Sequence, residues 1–227
     1  DALFLLREAG VKVVFLTTPP YLDLDYGPWK RYREYGRSGL RLPNKIVVHG
    51  LTRPKSEEFR HVFVGPMSSR VRYAPKKGKV VPIILGTTSS SRMKAYGRNC
   101  AKMLINLGYE PLVVDNSANQ GRYLKNQIRL FGHSQLIVTH GGLSTLEEAA
   151  VLGVPTIVLH DYGNEEKTKN AKTVQRLKFG VAVDVTKPFS GSRFIETVKK
   201  ASLLSDRMIC QRNGLKIAVN AIESMLR

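Results

Sequence analysis

Cysteine is scarce: Cys100 and Cys210 are the only two in 227 residues. Two isolated thiols supply neither a disulfide framework nor metal-ligand spacing, and they point to a reducing compartment. Acidic residues are also few, 18 Asp and Glu against 36 Lys and Arg, for a net charge of +18. A balanced ion-pair surface would not give that excess, so thermal adaptation alone does not account for it. The resulting field attracts polyanions: nucleic acid, anionic lipid or phosphorylated substrates. No apolar run approaches eighteen residues, so no transmembrane helix is expected. No stretch reads as a secretory signal, and the first residue is Asp1, not Met, so further sequence is expected upstream. Neither a Walker A loop nor a G-x-G-x-x-G fingerprint is present, which disfavours a P-loop NTPase and a dinucleotide oxidoreductase. Internal repeats and low-complexity tracts are absent.

What remains is the composition of a globular protein, 42% hydrophobic and 8% aromatic, long enough for one large or two small domains. From Val80 onward the pattern alternates between strand and helix. Strands are expected at Val80–Leu85, Tyr109–Val114, Leu136–Val138, Thr156–His160 and Val181–Val185. Helices are expected at Arg92–Leu107, Leu124–Phe131, Leu143–Leu152, Glu165–Leu177, Ile195–Leu204 and Asp206–Leu226. Such alternation implies a parallel, doubly wound α/β sheet, and such sheets bind ligands beyond the carboxyl ends of their strands. Two loops fall at that edge. One is Gly86–Ser91, whose Gly86, Thr87 and Thr88 offer N–H groups and hydroxyls to a phosphate just before a helix. The other is His140–Ser144. Each also reads as an ordinary polar turn.

The first 78 residues differ. Val11–Leu16, Lys45–Val48 and His61–Val64 read as strands, with helical turns at Ala2–Glu8 and Pro28–Tyr35. Residues 1–66 form one domain in this reading, 67–79 a basic, Pro-containing linker, and 80–227 a second domain. Between Tyr21 and Arg41, Tyr26, Trp29, Tyr32 and Tyr35 alternate with Lys30, Arg31, Arg33 and Arg37. That mixture suits a membrane interface, single-stranded nucleic acid or a solvated loop.

The richest stretch runs from Thr139 to Asp161. A buried apolar run stops at His140-Gly141-Gly142, an amphipathic helix follows and ends at Gly153, and Pro155 opens another apolar run. Glycines let a ligand approach the backbone, and a helix start presents free N–H groups to an anion. At about 100° per residue, positions 141, 145 and 148 share a helical face. A phosphate at the helix mouth and a hydroxyl-bearing sugar near Glu148 would both be within reach. A carboxylate is a strong paired acceptor for a vicinal diol.

The motifs His140-Gly141-Gly142-Leu143-Ser144-Thr145-Leu146-Glu147-Glu148, Gly153-Val154-Pro155 and Glu166-Lys167-Thr168-Lys169-Asn170-Ala171 occur in order. Here the chain resembles the GT-B glycosyltransferases, in particular the branch of UDP-glucuronosyltransferase-like enzymes and MurG-type UDP-N-acetylglucosamine transferases. That branch carries H-x-G-x-x-S/T-x-x-E, then G-V-P, then D/E-Q-x-x-N-A. Lys167 stands where the branch usually has Gln. The resemblance implies a Rossmann-like GT-B fold with an incomplete N-terminal α/β domain. It implies a diphosphate pocket lined by His140, Gly141, Gly142, Ser144 and Thr145, with Gly86, Thr87 and Thr88 on its border. Glu148 would accept from the ribose hydroxyls. Glu166 and Lys167 would face the transferred sugar, and Asn170 would fix the loop or touch the phosphates.

The function so implied is hexosyl transfer from a nucleotide sugar, UDP-linked and of the UDP-N-acetylglucosamine type, to an unknown, lipid-linked acceptor. Inversion is expected, with no metal and no cofactor beyond the donor. An anionic membrane surface is a candidate partner, and the expected location is the cytoplasm, peripheral at the inner face of the membrane. The catalytic base is not assigned; His49 and Asp25 qualify by chemistry alone. A sugar-nucleotide epimerase, a basic nucleic-acid-binding module on an inactive enzyme-like core, and a donor subunit working with a separate acceptor subunit stay open as alternatives.

Overall fold

The computed structural model describes residues 12, 14–17, 45–53, 61–68, 78–86, 89–115, 127–205 and 213–225. The chain divides into two compact units, the first Asp1–Ser68 together with Arg212–Arg227 and the second Ser69–Gln211. In the first-unit sheet, β1 (Val14–Thr17), β2 (Lys45–His49) and β3 (His61–Gly65) run parallel in the order β1-β2-β3. Val47 and Val64 bury themselves against Ala218 of the C-terminal helix Leu215–Glu223. Lys45 Nζ donates to the carbonyl of Ala221 at 3.0 Å, and Lys12 Nζ to that of Met225. Cations thus meet the carbonyl end of this helix, where its dipole favours them.

The closing helix differs from expectation. The sequence predicts a single helix over Asp206–Leu226, inside the 80–227 segment. Residues 206–212 lie outside the described residues, and the described helix starts only at Leu215, after Asn213 and Gly214. A Cβ on Gly214 would stand 2.1 Å from the Val64 carbonyl oxygen, so this helix is seated on the first sheet through a glycine. Nothing in the 3.6-residue periodicity signals that contact, because its partner is remote in sequence.

In the second unit the order is β4 (Val80–Leu85), α1 (Ser91–Asn106), β5 (Glu110–Asp115), α2 (Gln127–Gly132), β6 (Ile137–Thr139), α3 (Leu143–Leu152), β7 (Thr156–His160), α4 (Glu165–Arg176), β8 (Gly180–Asp184) and α5 (Gly191–Ser205); the C-terminal helix of the first unit is α6. Five parallel strands pair as β5-β4-β6-β7-β8. Alternate residues of β4 face opposite layers, as a pleated strand requires. Val81, Ile83 and Leu85 pack with Met93, Cys100 and Leu104 of α1 and with Phe194, Val198 and Ala201 of α5. Ile84 faces the other way, with Phe131 of α2 and Ala149 of α3. Both faces are therefore covered, which explains why β4, β6 and β7 are continuous apolar runs.

Helix ends are set locally. The hydroxyl of Ser90 accepts from Met93 N–H at 3.2 Å and starts α1, while Asn164 Oδ1 accepts from Lys167 N–H at 3.0 Å and starts α4. Gly153 closes α3 at φ 68°, the left-handed conformation glycine adopts without cost. α5 begins at Gly191, earlier than the expected Ile195, because Ser190 provides its opening carbonyl. Cys100 is wholly buried in α1, and burial pushes its thiol far above the usual range. Cys210 lies outside the described residues.

Candidate functional site

Strand order places the site. From β4 the chain steps outward to β5, then returns across to β6 and continues to β7 and β8. The order therefore switches direction between β4 and β6, and the loops leaving these two strands flank the crevice where open α/β sheets hold ligands. Those loops begin at Gly86 and at His140, the two predicted from the sequence.

The two loops meet on one ring. A Cβ built on Gly86 would lie 2.2 Å from His140 Nε2, and one on Gly142 would lie 3.1 Å from His140 Cε1. Only a bare backbone fits at Gly86. The His140 N–H donates to the Ile84 carbonyl at 3.0 Å, and Nδ1 lies 3.3 Å from the same oxygen. A carbonyl only accepts, so this contact places the proton on Nδ1 and leaves Nε2 as the bare nitrogen beside Gly86. Burial, with the Lys167 charge nearby, lowers the imidazole pKa to about 4, against a weaker opposing effect of the Ile84 bond. The ring is neutral at physiological pH.

Gly141 is buried with φ 85°, a conformation that favours glycine. A side chain there would also press on Val158, 3.0 Å from its Cγ1. The Asn170 amide donates to the Gly141 carbonyl at 2.9 Å within the protein interior. Asn170 therefore holds the turn. Gly142 caps α3 with no side-chain bond, and the first N–H returning to it is that of Leu146. The N–H groups of Leu143, Ser144 and Thr145 thus have no partner within the helix. Ser144 is exposed and Thr145 buried beside them. On the opposite loop the Ser89 hydroxyl is buried with no hydrogen-bond partner among the described residues. Thr87 and Thr88 lie outside the described residues.

Glu148 sits half-buried on the second turn of α3. Its Oε2 accepts from Gln127 Nε2 at 3.0 Å. Burial raises its pKa, the Gln127 bond opposes this, and Glu147 adds to the rise. Gln127 was not foreseen: it opens α2, 21 positions upstream, and only the packing of α2 on α3 brings it here. Lys167 is buried, 8% exposed, with its carbonyl 3.5 Å from the position of a Cβ on Gly141. Burial lowers its pKa, and Asp161 and Glu166 pull the other way. Glu166 is exposed on the first turn of α4. Of the two residues considered as base, His49 ends β2 in the first unit, and Asp25 lies outside the described residues. Among the described residues no three His, Cys, Asp or Glu side chains converge as a metal site requires.

Two glycine turns that meet on a neutral histidine, a helix start without a side-chain cap, a buried lysine and a hydrogen-bonded glutamate thus lie on the loops after β4 and β6 and on α3 and α4. Residues 95–216, more than half of the chain, match the glycosyltransferase family 28 C-terminal domain. The chain belongs to that family. An uncharacterised glycosyltransferase of Methanopyrus kandleri is 27% identical over 164 residues, 62% of this chain and 46% of its own length. The family 28 chain thus spans about half the length of this curated relative. Among solved structures, the kitacinnamycin glycotransferase superposes with a TM-score of 0.63 at 18% identity, over 89% of this chain and 66% of its own. The calicheamicin glycosyltransferase CalG4 does so with a TM-score of 0.55 at 15% identity, over 90% of this chain and 58% of its own. The family 28 chain has the Rossmann-like GT-B fold.

Proposed function

We propose that this chain carries the donor site of a glycosyltransferase that takes a nucleotide sugar, UDP-linked and of the UDP-N-acetylglucosamine type. The observation that carries the reading is the convergence of the Gly86 and His140 turns on one imidazole at the β4/β6 switch. Ground for the diphosphate at this point comes from the open N–H groups of α3, the hydroxyls of Ser89, Ser144 and Thr145, and the Lys167 charge behind the turn. Fixed dipoles aimed at the leaving diphosphate stabilise charge as it develops, with no reorganisation at the moment of transfer. A neutral His140 adds no charge; it supports the Gly86 backbone, and Asn170 supports the Gly141 backbone. Glu148, steadied by Gln127, takes the ribose diol. Glu166 and Lys167 face the sugar, and a base on the acceptor side removes the acceptor proton.

We further propose a MurG-like enzyme, inverting and metal-independent, with a lipid-linked acceptor and peripheral attachment to an anionic cytoplasmic membrane face. The charge of +18 supports that attachment. Calorimetric titration with UDP tests the donor site. Glu148→Ala should weaken binding tenfold or more, since a hydrogen bond to a charged group contributes about 1.5–3 kcal/mol. Equal affinity in the variant and the parent would remove Glu148 from the site.

A further inference from the structure

Among the described residues β5 is an outer strand: β4 pairs with it on one side, and no described strand lies on the other. The Glu110 N–H donates to the Lys79 carbonyl at 3.0 Å, so Glu110, Leu112 and Val114 bond toward β4. In a parallel ladder the alternate residues, Pro111 and Val113, turn their backbone groups the other way. Proline has no N–H to lose there, as befits an edge strand. The Val113 N–H and carbonyl point outward, with no partner among the described residues.

The side chains along this edge are apolar. Leu112 is 40% exposed and Val113 41%. Val113 pairs in register with Ile83 and so shares the α1 face, while Leu112 lies on the α2 and α3 face with Val114. The edge is thus open and apolar on both faces. α1 extends it. Lys94 Nζ lies 3.3 Å from Asp115 Oδ2, which puts that flank of α1 over β5. Positions 94, 98, 101 and 105 share a flank at 3.6 residues per turn, and Ile105 on it is 60% exposed. Natural edge strands are commonly guarded by lysine. β5, Glu110–Asp115, holds no Lys or Arg in a chain of net charge +18. Its only charges are carboxylates, which turn nucleic acid and anionic lipid away. A second copy meets little of the cation repulsion found elsewhere on the surface.

We propose that a second copy of this chain docks on this edge. Two β5 strands pair antiparallel about a two-fold axis at Val113, and their five-stranded sheets join as one. Antiparallel geometry suits self-pairing, because a residue on the axis exchanges both its N–H and its carbonyl with its own copy. Val113 faces its counterpart, and Leu112 meets Val114 of the second copy. Ile105 borders the apolar contact on the helix side. The axis lies on β5, one strand away from the crevice between β4 and β6, so both donor crevices stay open.

Sedimentation velocity over a dilution series tests this. The chain should pass between monomer and dimer, and the dimer should tighten with added salt, which screens the repulsion between two copies of charge +18. Leu112→Lys with Val113→Lys should weaken association tenfold or more. Ile105→Lys, on the exposed helix flank, should weaken it several-fold with β5 intact, so the result does not hang on how the strand variant folds. Val113→Cys in a Cys210→Ser background should oxidise to a disulfide-linked dimer, because Cα atoms in such a pair stand about 5.5 Å apart. The proposal is overturned by a monomer at every concentration, by a dimer that salt weakens, by a dimer that both lysine variants leave intact, or by a Val113→Cys chain that stays reduced.

Discussion

His140 links the site's geometry to its pH behaviour. The unfolded histidine takes up a proton below about 6.5, whereas the folded one waits until about 4. Between these values the unfolded chain binds more protons. The contribution of this residue to stability is therefore complete above pH 6.5 and is lost as the pH falls toward 4. At 1.36 kcal/mol per pKa unit the loss is on the order of 3 kcal/mol. An NMR titration of the His140 ring should give a midpoint near 4, and His140→Gln should flatten this part of the stability curve. A midpoint near 6.5 would mean that the ring stands in water. At this scale the sequence was informative about residue type and spacing but not about partners. His140, Gly142 and Glu148 could be named from one motif. The Gln127 amide that steadies Glu148 could not, because the α2–α3 packing that joins them is invisible in either segment. For Asn170 the sequence admits two roles, loop support or phosphate contact; the structure adds its bond to the Gly141 carbonyl.

Elements were more legible than their contacts. The bounds of β4, α3 and β7 follow directly from the sequence: Gly86 ends the first, Gly153 ends the second and Pro155 opens the third. The closing helix is shorter than the apolar pattern predicts: it starts at Leu215, after Gly214, whose close approach to the Val64 carbonyl no local pattern signals. Gly86→Ala would place a methyl 2.2 Å from His140 Nε2, and the ring must move. We expect a loss of about 1–3 kcal/mol in stability, as for other overpacked sites, together with loss of UDP binding. A variant that keeps full stability and UDP affinity would show that the two turns do not touch.

At the scale of the molecule, charge is the dominant feature. A net +18 should draw the protein to anionic vesicles, and the attachment should fall steeply with added salt. Neutralising Lys30, Arg31, Arg33 and Arg37 should weaken vesicle binding in cosedimentation while leaving UDP affinity unchanged. Those residues lie outside the described residues, so the expectation rests on their alternation with aromatic rings in the sequence. Vesicle binding that survives both salt and neutralisation would assign the attachment to something other than this segment. The doubly wound sheet itself was legible because strand and helix alternate from Val80 onward. Membership of α6 in the first unit was not, since that grouping depends on a chain return that periodicity does not encode.

The most direct measurement is a titration of the isotopically labelled chain with UDP, followed by its backbone amide shifts. The largest changes should fall together on Gly86, Ser89 and the run from Gly142 to Thr145, with Glu148 and Gln127 next. Changes at only one of the two turns, or at neither, would contradict it.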